Sequence, residues 1–362
     1  MFKLIYQEFV NQYSFLNLFS FITFRVGAAI LTALFFSLIF GQIIINQLSK
    51  IQPKGQPIRI DGPEMHIIEK AGTPTMGGLL IIFSIFISSL LWADLKNLYV
   101  WIGLITLLTF GLIGFLDDYK KIQSNSSKGL NAAIRLFLQI TFSLLISYII
   151  LEITKGELAT SISFPFFKNL IINFGLFYLL ISMFIMIGSA NAVNLTDGLD
   201  GLAIVPVMIV AMTFAFFAYV SGNFVFSEYL LINYIPGTGE LSVLCGAIIG
   251  SALGFLWFNA PPAKVFMGDT GSLALGATIG SVAIMVKHEI VLAIAGGLFV
   301  LETLSVIIQV LSFKITGKRI FMMAPLHHHF EKKGWPESTI VIRFWIITIV
   351  LALISLATLK IR

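Results

Sequence analysis

The sequence predicts an all-α polytopic integral membrane protein of about ten transmembrane helices, with its polar chemistry gathered at one end. Three observations carry this. Hydrophobic residues make up 57% of the 362 positions and charged residues 11%, too few charges to solvate the surface of a soluble chain of this length. The apolar residues fall into separate runs, most of them close to the ~20 residues that carry a helix across a ~30 Å hydrocarbon core. Alternating apolar and polar residues, as in a membrane β-barrel, are absent.

Taken in order, the expected spans are 26–45, 76–93, 98–116, 132–151, 170–190, 202–220, 241–258, 273–286, 290–313 and 340–359. The eighth is short and extends back toward Gly271. Residues 1–25 mix Gln7, Glu8, Asn11 and Gln12 with aromatics and lack a small-residue cleavage site, so they read as an interfacial lead-in. The rest reads as one membrane-embedded domain over 1–362, without linkers or internal repeats. The single cysteine, Cys245, excludes an internal disulfide.

Net charge is +5, and its placement is informative. Most Lys and Arg lie in the first, third, fifth, seventh and ninth inter-span loops and their helix ends, so those loops are expected in the cytoplasm. Their approximate bounds are 46–75, 117–131, 191–201, 259–272 and 314–339. No nucleic-acid partner is expected. The same loops carry RIDGPEMHIIEKAGTPTMGG, FLDDYKK, NAVNLTDGLDGLA, FNAPPAKVFMGDTGS and MAPLHHHFEKKGWPE. Loops of the same parity share one side whenever the helices between them are real, so five polar clusters meet on one surface.

Each cluster has a plain reading and a chemical one. Asp117 and Asp118 stand where an apolar run ends, at lipid-phosphate depth; two adjacent carboxylates need water, Lys120, Lys121 or a cation between them. Asn191, Asn194, Asp197 and Asp200 recur every third residue, interrupted by Gly198 and Gly201, which suits either a helix cap or close backbone approach to a phosphate. Asp269, in FMGDTGS ahead of a helix, is either an ordinary N-cap or a ligand for Mg²⁺, a hard ion favouring a few carboxylates, water and substrate phosphates. The triplet His327, His328 and His329 lies in a basic loop. Adjacent histidines converge poorly on zinc, so contacts to a diphosphate fit better. Together these residues form the set that phosphoryl transfer requires, since that reaction depends on positioning and on stabilising negative charge.

DDYKK, NAVNLTDGLDGLA, GFLWFNAPPAKVFMGDTGSLALG and ETLSVIIQV resemble the motifs of the polyprenyl-phosphate N-acetylhexosamine-1-phosphate transferase family. KAGTPTMGG and MAPLHHHFEKKGWPE are similar to its phospho-N-acetylmuramoyl-pentapeptide transferase branch, and the likeness runs end to end. The resemblance implies transfer of phospho-N-acetylmuramoyl-pentapeptide from its UDP carrier to undecaprenyl phosphate, giving lipid I and UMP in peptidoglycan synthesis. It also implies Mg²⁺, a homodimer, the inner (plasma) membrane and a cytoplasmic active site. By motif match, Asp117, Asp118, Asp269 and His328 are the implied catalytic residues, with Asp269 the metal ligand. Lys70, Thr75, Asn194, Asp197, Asp200, Asn259, Phe266, Gln309 and His329 are the implied substrate contacts, Phe266 stacking on uracil.

Direct attack by the lipid phosphate and a phospho-aspartate formed at Asp269 or Asp117 both fit the residues. Direct attack is preferred, because a phosphate monoester with a second pKa near ~6 is mostly dianionic at neutral pH. The rival within the enzyme class transfers N-acetylglucosamine phosphate. A transporter would place ionisable groups at mid-membrane, where Arg135, Gln139, Glu302, Gln309 and Arg343 are the candidates. A noncatalytic scaffold gives no reason for five such clusters to share a side. Glu302 is left without a role, facing either the cleft or a subunit contact.

Overall fold

The structure, a computed structural model, describes residues 1–9, 11–56, 72–126, 128–154, 156–167 and 170–360. Its helices are α1 (Phe2–Phe9), α2 (Ile22–Ile51), α3 (Gly78–Trp92), α4 (Leu98–Gln123), α5 (Ala132–Thr154), α6 (Tyr178–Thr196), α7 (Ile204–Ser221), α8 (Phe224–Leu230), α9 (Leu241–Asn259), α10 (Gly268–Met285), α11 (Glu289–Ala295), α12 (Gly297–Thr316), α13 (Leu326–Lys332) and α14 (Glu337–Ala357). Among the described residues, 8 helical segments are long and apolar enough to cross a bilayer. Two more helices fall where spans are expected: α3, with 15 residues, and α10, with 18. The chain is therefore an all-α, multi-pass membrane protein.

Lipid removes the usual drive to bury apolar side chains, so helices pack where small residues let backbones approach. Helix α9 is the hub. Gly246, Gly250 and Gly254 form a stripe at four-residue spacing against α2, where a side chain at Gly250 would overlap the Ile30 carbonyl and one at Gly254 would overlap Ser37. Helix α10 is the second hub, buried from Thr270 through Met285. Gly276 meets Ser189 and Ala190 of α6, and Gly78 of α3 meets Gly271. The polar end of α10 is thereby fixed between α3, α4 and α6.

The ninth expected span is divided. Gly296 leaves helical geometry at φ −86° and ψ 17°, and the adjacent pair Gly296–Gly297 has no Cβ to favour continuation. The fifth begins later than its hydropathy suggests: Ile171–Asn173 instead forms strand β2, antiparallel to β1 (Ser161–Ser163). This hairpin is tied to the next loop on its side by Asn233, whose Nδ2 donates to Ser163 Oγ at 2.6 Å.

The end opposite the clustered motifs also holds ions, drawn from positions far apart in sequence. Arg25, fully buried, makes a two-pronged pair with Glu240 at 2.6 and 2.7 Å. Lys3 bridges Glu240 at 3.0 Å and Asp94 at 2.7 Å. These contacts join the N-terminal segment and α2 to the start of α9. Removing one partner of a buried pair strands the other charge, so Glu240→Ala is expected to destabilise the protein by about 3–5 kcal/mol. A thermal melt in detergent measures this, with the Arg25→Met, Glu240→Met pair recovering much of the loss.

Candidate active site

Helix α4 does not stop where its apolar run does. It continues through Asp117–Asp118–Tyr119–Lys120–Lys121 to Gln123, so the aspartate pair stands on a helix and not in the expected 117–131 loop. An i,i+4 pair between Asp117 and Lys121 at 2.7 Å supports the extra turn, and lysines suit a helix C-terminus.

Three carboxylates from two helices meet here. Oxygens of Asp117, Asp118 and Asp269 all lie within 4.8 Å of one another. Each carboxylate has one oxygen anchored by an uncharged donor. Leu130 N–H donates to Asp117 Oδ1 at 2.8 Å. The N–H and hydroxyl of Thr270 donate to Asp118 Oδ2 at 2.9 and 2.7 Å. Asn194 Nδ2 donates to Asp269 Oδ1 at 2.9 Å. The three remaining oxygens face the Lys121 ammonium, at 2.7 Å from Asp117, 3.1 Å from Asp269 and 3.5 Å from Asp118. Arg135 of α5 closes the basin, 2.8 Å from Asp269 and 3.9 Å from Asp117, with a bond to Asn191 at 3.2 Å.

The reading of Asp269 as an N-cap is corrected by this geometry. Asp269 lies inside the first turn of α10, and the carboxylate that binds the turn's free N–H is Asp118, from another helix. The cap thus also fixes α4 to α10, leaving the Asp269 side chain directed into the basin. Gly268 permits the approach: at φ +72°, a side chain there would lie 2.6 Å from both Asp118 Oδ2 and Thr75 Oγ1.

Neighbouring loops are stitched to this centre through backbone groups. Phe266 N–H donates to the Pro74 carbonyl at 2.9 Å, and Gly77 N–H to the Phe266 carbonyl at 2.9 Å. Gln52 exchanges two bonds with the Thr75 backbone. Asn259 accepts from Gly201 N–H at 3.0 Å and donates to the Val265 carbonyl at 2.9 Å. Asp200 accepts from Ala263 N–H at 2.9 Å. Asp197 is the C-cap residue of α6. Thus Asn194 and Thr75 stand at the carboxylates, while Asp200 and Asn259 shape the surrounding turns. Lys70 lies outside the described residues.

The histidine triplet folds as the short helix α13. His327, fully buried, faces the 197–201 turn so closely that a side chain at Gly198 would overlap its Nε2. Glu302, also fully buried, accepts from His327 N–H at 3.2 Å, and its other oxygen lies 3.2 Å from His327 Nδ1. This gives Glu302 a structural role: it seats the histidine helix against the aspartate turn. His328 Nδ1 lies 2.6 Å from Glu331 Oε2, and His329 Nδ1 accepts from Met322 N–H at 3.1 Å. Desolvation, then the neighbouring Lys333 charge, lowers the His329 pKa below the usual imidazole value. The Gln309 carboxamide binds the backbone of Ile320 and Phe321. Glu302→Gln keeps the size of the side chain but removes the charge facing His327. It is expected to cut turnover about tenfold to a hundredfold, checked by initial rates alongside a melting curve that stays within a few degrees.

The structure brings together Asp117, Asp118, Asn194 and Asp269, and sequence reasoning missed their closest partners. Lys121 entered only as one of several ways to offset the aspartate pair. Arg135 and Glu302 were read as candidate mid-membrane charges; both are instead paired within the motif-bearing end. Arg343, another of those candidates, stacks on Trp335 at 4.3 Å.

The half-buried Lys121 ammonium lies among oxygens that could hold a metal ion. Three anchored carboxylates offering three convergent oxygens are hard donors suited to magnesium, and Asp117 Oδ2 and Asp118 Oδ1 are buried with no hydrogen bond of good geometry. The residues fit such an ion.

Residues 100–287 match the family model described as glycosyl transferase family 4, a stretch containing Asp117, Asp118, Asn194 and Asp269. Residues 70–82 match phospho-N-acetylmuramoyl-pentapeptide-transferase signature 1. A phospho-N-acetylmuramoyl-pentapeptide-transferase of Pelagibacter ubique (strain HTCC1062) is 58% identical over 355 residues, covering 98% of this chain and 98% of the relative. Identity of that extent, with the carboxylate basin inside the matched region, places this chain in the phospho-N-acetylmuramoyl-pentapeptide-transferase family.

Proposed function

We propose that this protein transfers phospho-N-acetylmuramoyl-pentapeptide from its UDP carrier to undecaprenyl phosphate, forming lipid I and UMP. The observation that carries the reading is the convergence of three anchored carboxylates on one cation beside Arg135. Family membership selects the muramoyl substrate over N-acetylglucosamine phosphate. The reaction is assigned to the cytoplasmic face of the inner membrane, where the basic loops lie under the positive-inside tendency, and the working unit to a homodimer.

Magnesium, when bound by Asp269 with Asp117 and Asp118, supplies charge neutralisation to the diphosphate. The protein's own groups do the rest. Lys121 and Arg135 offer positive charge to phosphate oxygens that gain negative charge in the transition state. Asn194 and Thr270 hold the carboxylates in place, so little reorganisation accompanies the reaction. An oxygen of the lipid phosphate attacks the sugar-bearing phosphorus, and the bond from that phosphorus to the bridging oxygen breaks, releasing UMP. Both oxygens of Asp117 are engaged, by Leu130 N–H and Lys121, which supports an organising role over that of nucleophile. Thr75, Phe266, Asp197 and Lys70 are assigned to the nucleotide and sugar, and His328 and His329 to the diphosphate side. Asp200, Asn259 and Gln309 are assigned to holding the loops that carry these contacts.

Release of UMP with undecaprenyl phosphate and either UDP-N-acetylmuramoyl-pentapeptide or UDP-N-acetylglucosamine tests the assignment. Turnover only with the muramoyl nucleotide, lost on chelation and restored by magnesium, is the expected result. Turnover with the N-acetylglucosamine nucleotide alone would replace this reading with its rival.

A further inference from the structure

The C-terminal turn of α12 and the loop after it form a surface that the proposed reaction leaves unused. Every residue from Phe313 to Ile320 is exposed except for backbone bonds to its own helix. Ile315 is 79% exposed, Ile320 58%, Phe313 55% and Met322 53%. Interleaved with them are Lys314, Lys318 and Arg319, all exposed. No acidic residue occurs between Glu302 and Glu331, and those two carboxylates face His327 and His328. The patch is therefore basic and apolar together, and no ion pair to Lys314, Lys318 or Arg319 occurs among the described residues.

The loop is also folded back in a fixed shape although it covers no core. Gly317, at φ +69°, ends the helix. Ser312 Oγ donates to the Lys318 carbonyl at 2.9 Å, and Gln309 Oε1 accepts from Ile320 and Phe321 N–H at 3.0 and 2.9 Å. Ordering an exposed loop costs conformational entropy, which contacts outside the protein can offset. Large apolar side chains flanked by Lys and Arg suit the headgroup level of a bilayer, where the apolar groups enter the acyl boundary and the long cationic stems reach the phosphates.

We infer that the Phe313–Met322 surface is a docking site for anionic phospholipid of the surrounding bilayer, with Lys314, Lys318 and Arg319 binding headgroup phosphates while Phe313, Ile315, Ile320 and Met322 enter the lipid. The charge complementarity selects this occupant over zwitterionic lipid, and the flanking apolar side chains suit the acyl boundary. The site holds bulk phospholipid close to the loop that leads into the histidine helix. It does not depend on which sugar the enzyme transfers.

The test uses the full chain in nanodiscs. Cys245 is buried, so a cysteine placed by Ile315→Cys takes a bimane label selectively. Quenching is compared for brominated phosphatidylglycerol and brominated phosphatidylcholine, each present as about one lipid in three of an otherwise unbrominated bilayer of fixed charge, and a preference of about threefold or more for the anionic lipid is expected. Lys314→Gln, Lys318→Gln and Arg319→Gln together should bring the ratio to about one, as should raised salt with the three cations intact, which needs no substitution. Equal quenching by both lipids in the parent protein would overturn the inference, as would a preference that survives both the triple substitution and salt. Loss of quenching on adding undecaprenyl phosphate at about one-hundredth of the phospholipid would also reject it, by assigning the patch to the acceptor lipid, because bulk attraction of each lipid by about equal charge cannot be displaced at that ratio.

Discussion

Replacing Asp269 with asparagine is expected to lower UMP release by about a thousandfold or more while leaving the protein folded. Asparagine keeps the shape of the side chain, and its oxygen can still accept from Asn194 Nδ2, which lies 2.9 Å from Asp269 Oδ1. What disappears is the negative charge shared by Lys121 at 3.1 Å and Arg135 at 2.8 Å. Both cations would then draw toward Asp117 and Asp118, and the basin would lose a hard ligand for magnesium. Initial rates over a magnesium titration, with a melting curve as the folding control, measure the effect. Activity within tenfold of the parent would remove Asp269 from the centre of the account.

The second large effect concerns a residue that carries no chemistry. Gly114 of α4 faces the carbonyl of Asp269 so closely that a methyl group would overlap the Asp269 backbone, and Thr270 N would lie 2.6 Å away. Those backbone atoms cannot yield as a flexible side chain can. Gly114→Ala must therefore separate α4 from the first turn of α10, lengthening the Asp118–Thr270 bonds and moving Asp269 from its partners. A displacement near ~1 Å in a positioned site costs about a hundredfold in rate, so a fall of that order in turnover is expected. Gly27 provides the control, since a side chain there meets nothing within 4 Å; Gly27→Ala should leave the rate unchanged.

The helices were legible because lipid leaves the backbone few choices: it must bond within itself, and the bilayer sets the length. The convergence of distant loops was legible for the same reason, through the parity of the spans. Local chemistry hid the rest. Asp117 and Lys121 read as the end of a span because hydropathy falls there, although their i,i+4 spacing supports another helical turn. Arg25 and Glu240 lie 215 positions apart, so nothing in either neighbourhood announces the pair. Glu302 did signal itself, as a carboxylate within an apolar run that demanded a partner, but the choice of His327 depends on how α13 folds. The break at Gly296 was marked by two adjacent glycines inside a run whose hydropathy concealed it. Family motifs identified the carboxylates, but not which oxygen of each is anchored and which is directed inward.

The carboxylate basin and the histidine helix are expected to open to one side of the membrane. Single cysteines at exposed Lys120, Lys333 and Lys96, each in a Cys245→Ser background, can be reacted with a membrane-impermeant maleimide in vesicles of known orientation. Lys120→Cys and Lys333→Cys should label from the same side, and Lys96→Cys from the other. Labelling of the first two from opposite sides would contradict it.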